Sequence, residues 1–351
     1  MNTRRTHGES MQTRRLGNSD LYITPLGGGG GDWGGAGWPS SWSHQDDDAS
    51  ISAIHAALDA GMNWVDTAAV YGLGHSEEVV GRLLRELPAD ARPLVFTKCG
   101  MVWNEQNPME EPRRILAPDS IRTECERSLK RLGVERIDLY QFHWPDDSGT
   151  PIEDSWAAMV RLLEQGKVRA IGVSNFDRAL LERCEAIRHV DSLQPPFSLI
   201  RREAASELLA WCAEHETGVI VYSPMQSGIL TDRFGAERVA SLAPDDWRRR
   251  SREFRPPAVS RNIALRDALR PIAERHRTTV SAVAVAWTLS WPGATGAIVG
   301  ARSPEQVDGW IGAATLELTA EDLEQIAEAV ERTGAGRGPM RPSRRATGAP
   351  R

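Results

Sequence analysis

Residues 136–174 read RIDLYQFHWPDDSGTPIEDSWAAMVRLLEQGKVRAIGVS. This stretch holds two short apolar runs, RIDLYQF at 136–142 and VRAIGVS at 168–174, separated by a segment with apolar residues at helical spacing. Neither run alternates apolar and polar residues, so both are predicted to be strands that are buried on two faces. Two such strands joined by a helix form a parallel β-α-β unit.

The same order of elements recurs on both sides of this unit. Further strand–helix pairs are predicted to begin with MNWVDT (62–67), RPLVFTK (92–98), DSLQP (191–195), GVIVYS (218–223) and GAIVG (296–300). Strand–helix pairs that repeat in this way through a single domain of about 300 residues predict an α/β fold of the (β/α)8 TIM barrel type, in which eight such units close the ring. An open, doubly wound sheet is the alternative.

The two ends of the chain depart from the repeat. RRLGNSDLYITPL (14–26) predicts an N-terminal β-hairpin, and ELTAEDLEQIAEAV (317–330) predicts an extra C-terminal helix. The expected organisation is a disordered extension over 1–12, a barrel over 13–332 and a disordered basic tail over 333–351. The glycine- and tryptophan-rich segment 27–42 is predicted to be a loop. Its Gly29-x-Gly31-x-x-Gly34 spacing opens no helix and is therefore no dinucleotide fingerprint.

Composition narrows the function classes. The chain has 351 residues, 42 basic and 48 acidic, and its net charge of −6 argues against a mainly nucleic-acid-binding protein. The arginine clusters at 248–255 and after residue 332 are interpreted as solvated surface. No apolar run is long enough for a membrane span and no signal peptide is evident, so a cytoplasmic protein with reduced thiols is expected. The cysteine and histidine spacings predict no metal site.

Polar side chains follow most of the predicted strands. In a barrel, the carboxyl ends of all strands meet at one rim, where the chemistry of such enzymes is located. The residues that the pattern places at this rim are Asp66, Tyr71, Lys98, His143, Ser174, Asn175, Gln194, Tyr222, Ser223, Pro224, Arg302 and Ser303. Together they predict a polar pocket.

The segments at these strand ends resemble the serial motifs of the aldo-keto reductases. The matching segments are DTAAVYG (66–72), FTK (96–98), QFHWP (141–145), GKVRAIGVSNF (166–176), VYSPMQSGIL (221–230) and IVGARSPEQV (298–307). Their order and spacing agree with the family over about residues 13 to 331, and the likeness is greatest to its bacterial and sugar-reductase branch. The resemblance implies an oxidoreductase that reduces an aldehyde or ketone with a nicotinamide hydride and without a metal.

The resemblance also assigns four catalytic positions. It implies that Tyr71 is the general acid, that Lys98 and Asp66 tune it, and that His143 orients the substrate carbonyl. The chemistry of these groups suits the roles, because an ammonium beside a phenol is expected to lower the pKa of the phenol. A neutral histidine can donate one N–H to the carbonyl oxygen.

A nicotinamide cofactor follows from the same resemblance, with NADP(H) expected and NAD(H) as the alternative. The positions that correspond to the family's cofactor site are Ser174, Asn175, Gln194, Tyr222, Ser223, Pro224, Met225, Ser227, Gly228, Gly300, Arg302 and Gln306. Ser303 is expected to cap a helix in a capping box with Gln306, and Arg302 beside this helix start can grip the 2′-phosphate of NADP. Trp310 stands where many family members have an adenine-contacting asparagine, which leaves the preference for NADP open.

The substrate is expected to be a small molecule. Trp33, Trp103 and Trp144 are predicted to line its pocket, and flat indole rings suit aromatic, apolar or sugar carbonyls. One alternative is a dehydrogenase that oxidises a sugar or polyol. A second is a nicotinamide-sensing partner protein like the potassium-channel β subunits. A third is an aldolase-type barrel with Lys98 as a Schiff-base amine.

Overall fold

A closed barrel of parallel strands forms the centre of the protein. The structure is a computed structural model that describes residues 11–41, 45–243 and 246–342. The barrel strands in these ranges are β1 (Leu26–Gly29), β2 (Trp64–Asp66), β3 (Leu94–Cys99), β4 (Ile137–Phe142), β5 (Val168–Ser174), β6 (Ser192–Gln194), β7 (Gly218–Val221) and β8 (Ala294–Val299). Each strand pairs in parallel with the next, and Ala297 of β8 pairs with Leu26 of β1 to close the ring. The predicted (β/α)8 barrel is therefore confirmed.

Helices surround the strands. Those in the described ranges are α1 (Asp47–Asp59), α2 (His75–Glu86), α3 (Pro118–Leu132), α4 (Ile152–Glu164), α5 (Arg178–Glu185), α6 (Leu208–Glu214), α7 (Ala236–Ala240), α8 (Ala258–Ala268), α9 (Arg270–Arg275), α10 (Val280–Leu289), α11 (Pro304–Asp308) and α12 (Ala320–Thr333). The extra C-terminal helix α12 begins with a capping box between Thr319 and Asp322. Within these ranges, every helix is too short or too polar to cross a membrane.

The N-terminal hairpin closes one end of the barrel. Its short strands, Arg14–Arg15 and Tyr22–Ile23, pair in antiparallel fashion. Leu16 and Leu21 beside them are fully buried, in one cluster with barrel residues that include Trp64 and Phe96. Trp64 begins β2 and Asp66 ends it, so the hairpin covers the amino ends of the strands. The carboxyl ends lie at the opposite end of the barrel, which is the open rim. The predicted hairpin thus seals the floor of the barrel and leaves the carboxyl ends of the strands accessible.

The first barrel strand corrects the sequence interpretation, which assigned its residues from Gly27 onward to a loop. β1 has the sequence LGGG and is fully buried. A Cβ added at Gly27 would lie 2.2 Å from the Trp64 ring, so the indole occupies the space that a side chain at this position would need. A strand with three glycines in four residues has no apolar pattern, which is why its sequence did not indicate a strand.

Replacing Gly27 with Ala is expected to lower the free energy of unfolding by about 1–3 kcal/mol, the range for overpacking a close-packed core. Urea titration followed by circular dichroism measures the change. Gly235→Ala is the matched control, because a Cβ at Gly235 would meet no atom within 4 Å. Equal, small changes in both variants would show that the barrel interior can yield around Trp64.

The chain beyond α12 corrects a second expectation. The sequence predicted disorder from residue 333, yet Ala335 is 1% exposed and the backbone of Arg337 forms a parallel β-bridge with that of Arg201. The side chain of Arg202 donates hydrogen bonds to the carbonyl oxygens of Ala335 and Gly338, at 3.2 and 3.3 Å. This buried arginine holds the segment on the barrel, a contact that the composition of the tail does not reveal. Residues 1–10 and 343–351, the remaining parts of the two predicted disordered ends, lie outside the described residues.

Candidate active site

Four of the predicted site residues meet at the open rim of the barrel. Asp66 ends β2, Tyr71 begins the turn before α2, Lys98 lies near the end of β3, and His143 directly follows β4. The Nζ atom of Lys98 donates to Oδ1 of Asp66 at 2.5 Å and lies 5.4 Å from the centre of the Tyr71 ring. The rings of Tyr71 and His143 are 5.5 Å apart and nearly perpendicular. The strand ends thus place an ion pair, a phenol and an imidazole in one cluster.

Asp66 and Lys98 form a buried ion pair with further partners. Asp66 is 2% and Lys98 1% exposed. Besides Lys98, the carboxylate of Asp66 accepts hydrogen bonds from the side-chain amides of Gln194 at 2.9 Å and Gln141 at 3.5 Å. Burial raises the pKa of Asp66 and lowers that of Lys98, and the attraction between the two opposes both shifts. Gln141, which the sequence did not single out, therefore helps to hold the carboxylate.

The pKa of Tyr71 moves upward, in the direction opposite to the one expected from the nearby ammonium. Burial of the phenol is the main cause, and the negative charges of Asp66 and Asp32 add to it. Tyr71 is therefore a protonated phenol at neutral pH, which is the form that can donate a proton.

His143 is neutral. Burial lowers its pKa well below the usual value, and the positive charges of Lys98 and Arg114 act in the same direction. Its Nδ1 atom is buried and has no hydrogen-bond partner among the described residues. An unpaired buried acceptor is tolerated better than an unpaired N–H, which favours the tautomer with the proton on Nε2. Such a ring can donate a hydrogen bond but carries no charge.

A second group of predicted residues forms a hydrogen-bonded chain beside this cluster. Tyr222 donates its hydroxyl hydrogen to Oδ1 of Asn175 at 2.8 Å. The amide nitrogen of Asn175 donates to the carbonyl oxygen of His143 at 2.9 Å and to Oγ of Ser174 at 3.1 Å. Ser174 in turn donates to the carbonyl oxygen of Gln194 at 2.8 Å. The polar residues at the ends of β5, β6 and β7 are thus joined to the catalytic cluster.

The segment 223–228 after β7 folds into a tight turn. Ser223, Ser227 and Gly228 have φ angles of 57°, 53° and 101°, in the left-handed region. A guanidinium nitrogen of Arg248 donates to the carbonyl oxygen of Ser227 at 3.4 Å, and the same side chain forms an ion pair with Asp246 at 2.6 Å. Arg248 is only 9% exposed, so its interpretation as solvated surface was wrong. Contacts from a distant part of the chain bury it, and no local pattern signals them.

The turn after β8 carries a second cation. The Nε atom of Arg302 donates to the side-chain oxygen of Gln45 at 2.6 Å, and Gln45 donates back to the carbonyl oxygen of Arg302 at 3.0 Å. The predicted capping box is absent, because the Ser303 side chain does not cap α11. Its hydroxyl instead bonds to Glu305, whose pKa it lowers, while Gln306 accepts a hydrogen bond from the backbone N–H of Arg302 at 3.0 Å. Hydrogen bonds to Gln45 and Gln306 thus hold Arg302 in place.

Two tryptophans of the loop after β1 lie in positions opposite to those expected from the sequence. Trp33 was predicted to line the substrate pocket, but it is 2% exposed and packs in the main core. Trp38 was interpreted as ordinary loop packing, yet its ring lies 6.1 Å from that of Tyr71. Both follow β1 within a glycine-rich loop whose path the sequence does not indicate.

The other two predicted pocket tryptophans are half-buried. Trp103 packs against a small apolar cluster that includes Trp38 and Val70. Trp144 directly follows His143, and the guanidinium of Arg114 lies 4.4 Å from the centre of its ring. In the described parts of the chain, no group of three or more side chains is arranged to hold a metal ion.

The sequence and fold are similar to those of known proteins. The sequence profile described as "Aldo/keto reductase family" matches residues 32–331. "Aldo-keto reductase YhdN" of Bacillus subtilis (strain 168) is 34% identical over 293 residues, which cover 83% of this chain and 86% of that protein. "NADH-specific methylglyoxal reductase" of Escherichia coli (strain K12) is 32% identical over 328 residues, or 90% of this chain and 98% of that protein.

A solved structure supports the same relationship. The glycerol dehydrogenase AKR11B4 from Gluconobacter oxydans superposes with a TM-score of 0.83 and 35% sequence identity. The similarity covers 96% of this chain and 100% of that chain.

Proposed function

The chain belongs to the aldo/keto reductase family, and on that footing we propose that it is an NADP(H)-dependent oxidoreductase that reduces a small aldehyde or ketone to an alcohol. The observation that carries the proposal is the cluster of Tyr71, His143 and the Lys98–Asp66 ion pair at the open rim. Family membership supports the oxidoreductase class. The cofactor, the substrate and the cytoplasmic location belong to the proposal.

The residues beside this cluster fit a nicotinamide dinucleotide. Arg248 supplies a guanidinium group at the turn 223–228 and Arg302 supplies a second one at the turn after β8, and guanidinium pairs well with phosphate oxygens. The amide and hydroxyl groups of Ser174, Asn175 and Gln194 are of the kind that can bind a carboxamide. Tyr222 is half-buried and offers a ring for stacking. The other positions proposed for the cofactor are Ser223, Pro224, Met225, Ser227, Gly228, Gly300 and Gln306.

In the proposed reaction, the chain supplies the proton and the polarisation. A bound nicotinamide supplies the hydride. Tyr71, held as a phenol, donates its proton to the carbonyl oxygen of the substrate, and neutral His143 donates a hydrogen bond to the same oxygen. Asp66 keeps Lys98 charged, and the ammonium stabilises the negative charge that develops on the Tyr71 oxygen. We infer that Trp38, Trp103 and Trp144 limit the shape of the substrate.

A second candidate is the same chemistry in the oxidative direction. It is favoured by the 35% identity to the glycerol dehydrogenase AKR11B4 from Gluconobacter oxydans. Tyr71 would then accept the proton from an alcohol. The aldolase-type alternative is disfavoured, because Lys98 is held as an ammonium by Asp66 rather than as a free amine.

Initial-rate assays, together with cofactor binding and borohydride trapping, distinguish these proposed functions. We expect consumption of NADPH with methylglyoxal or an aromatic aldehyde, and slower reduction of NADP⁺ with glycerol. Turnover only with the alcohol would favour the dehydrogenase. Cofactor binding without turnover of any carbonyl or alcohol would favour the partner protein, and trapping of substrate by borohydride would favour the aldolase.

Replacing Arg302 with Ala is expected to weaken NADPH binding by about tenfold or more while changing NADH binding much less, because a charge-assisted contact to the 2′-phosphate is worth about 1.5–3 kcal/mol. Quenching of tryptophan fluorescence measures both dissociation constants. Arg183→Ala, which removes an exposed arginine paired with Glu153 on the outer helices, is the control. An equal loss for both cofactors would mean that Arg302 does not read the 2′-phosphate.

A further inference from the structure

An additional carboxylate lies within the proposed phosphate site. Asp32 belongs to the loop after β1 and packs against the backbone after β8, where its Oδ2 atom is 3.3 Å from the position that a Cβ on Gly300 would take. Gly300 is two residues from Arg302, one of the cations assigned to the cofactor. A side chain at Gly300 would therefore press on the carboxylate of Asp32.

Two cations and a second carboxylate act on Asp32. The positive charges of Arg302, in the turn after β8, and of Arg248, in the segment after β7, lower its pKa, and the negative charge of Asp246 raises it. Asp246 is bound to Arg248 at 2.6 Å, and Arg248 holds its pKa below the usual value, so it stays ionised. The two arginines and two ionised carboxylates sum to zero charge. Protonation of Asp32 alone leaves one net positive charge to face a phosphate.

We propose that Asp32 takes up a proton when a dinucleotide binds, because its carboxylate and the cofactor phosphates compete for Arg302 and Arg248. This inference rests on the proposed function, since it requires the phosphates to lie at these two arginines. The ionised carboxylate of Asp32 weakens cofactor binding at alkaline pH. As the pH falls, Asp32 is protonated and the affinity for the cofactor rises. The proton comes from solvent and returns to it when the cofactor leaves.

The ionisation of Asp32 in the free protein supports this coupling. Burial raises its pKa to about 6, against the opposing effect of Arg302 and Arg248. Arriving phosphates add negative charge and share those two cations, so both effects raise the pKa of Asp32 further. Between the pKa of the free protein and that of the complex, binding is accompanied by proton uptake, and affinity rises as the pH falls. The negative charge of Asp32 also raises the pKa of Tyr71, so protonation of Asp32 removes one of the effects that hold this pKa up.

Isothermal titration calorimetry tests the proposal in the wild-type protein. NADP⁺ and NAD⁺ are titrated between pH 5.5 and pH 8, in two buffers of different ionisation enthalpy, which gives the number of protons taken up. We expect uptake that approaches one proton for each dinucleotide bound near neutral pH. For Asp32→Asn we expect none beyond that of the cofactor itself. The 2′-phosphate of NADP⁺ titrates in this range, but it does so equally in both proteins.

The affinities of the two proteins provide the second readout. At pH 8 Asp32→Asn is expected to bind the dinucleotides more tightly than the wild type, by about tenfold for each unit by which binding raises the pKa of Asp32. At pH 5.5 the two affinities are expected to converge. Asp20→Asn, which removes an equal charge from the hairpin at the opposite end of the barrel, should behave as the wild type. The Tm of Asp32→Asn should not fall, because burial disfavours the ionised carboxyl.

The possible results separate this inference from the function on which it rests. Tight binding with no proton uptake and an unchanged Asp32→Asn variant would overturn the role of Asp32 and leave the oxidoreductase intact. Failure of both dinucleotides to bind at any pH would overturn the proposed function and this inference with it.

Discussion

Tyr71→Phe is expected to lower kcat for carbonyl reduction by about 100- to 10,000-fold, the usual contribution of a positioned general acid. The change removes one hydroxyl and keeps the ring, which packs between Trp38 and His143. The dissociation constant for NADPH should stay within about twofold, because the proposed cofactor contacts come from other strand ends. Stopped-flow measurement of NADPH oxidation, together with fluorescence titration of the cofactor, gives both quantities.

Tyr22→Phe serves as the control for the loss of a tyrosine hydroxyl. Tyr22 is 56% exposed and lies on the N-terminal hairpin, at the opposite end of the barrel from the rim. Its kcat should match that of the wild type. A fall in NADPH affinity that parallels the fall in rate of Tyr71→Phe would mean that the phenol holds the cofactor rather than supplies the proton.

Lys98→Met is expected to abolish most activity and also to destabilise the fold. Removing one partner of a buried ion pair costs about 3–5 kcal/mol, because the remaining charge is left uncompensated. In this variant the remaining charge is Asp66, whose pKa burial already raises and which loses the opposing effect of Lys98. A carboxyl with a raised native-state pKa stabilises the fold when protonated and loses that stability as the pH rises. The deficit relative to the wild type should therefore be larger at pH 8 than at pH 5 in urea titrations.

The double variant Asp66→Asn/Lys98→Met separates structure from chemistry. It removes both charges, so most of the stability lost in Lys98→Met should return, and its pH dependence should disappear. Activity should stay low, because no ammonium remains beside Tyr71. Recovery of kcat together with stability would reduce the Asp66–Lys98 pair to a structural role.

Most of the fold could be predicted from the sequence because strands buried on two faces and amphipathic helices have distinct local patterns. RIDLYQF and VRAIGVS show the first kind of pattern, and α12 shows a capping signal as well. The first strand could not be predicted in this way. Its only pattern is a row of glycines, and side chains remote in sequence fill the space beside them: Trp64 at Gly27, Met62 at Gly28 and Ile298 at Gly29.

The same distinction holds for the candidate site. Asp66, Tyr71, Lys98 and His143 could be assigned to one rim from the residues alone, because in a barrel the position of a residue along its strand determines the end at which it lies. The charge state of these groups depends on burial and on neighbours remote in sequence. For that reason the direction of the Tyr71 pKa shift emerged only from the folded arrangement.

The positions of loop residues, which do not lie at a strand end, could not be predicted from the local sequence. Trp33 and Trp38 belong to one loop and have similar local sequences, yet one enters the core and the other packs beside Tyr71. Arg248 and Asp32 come from loops more than 200 residues apart, yet the positive charge of Arg248 acts on the carboxylate of Asp32. Periodicity and strand order are properties of neighbours along the chain and can be read from them. Burial, ion pairing and the acidity of a group depend on which distant segments fold against it, and these are decided by three-dimensional packing.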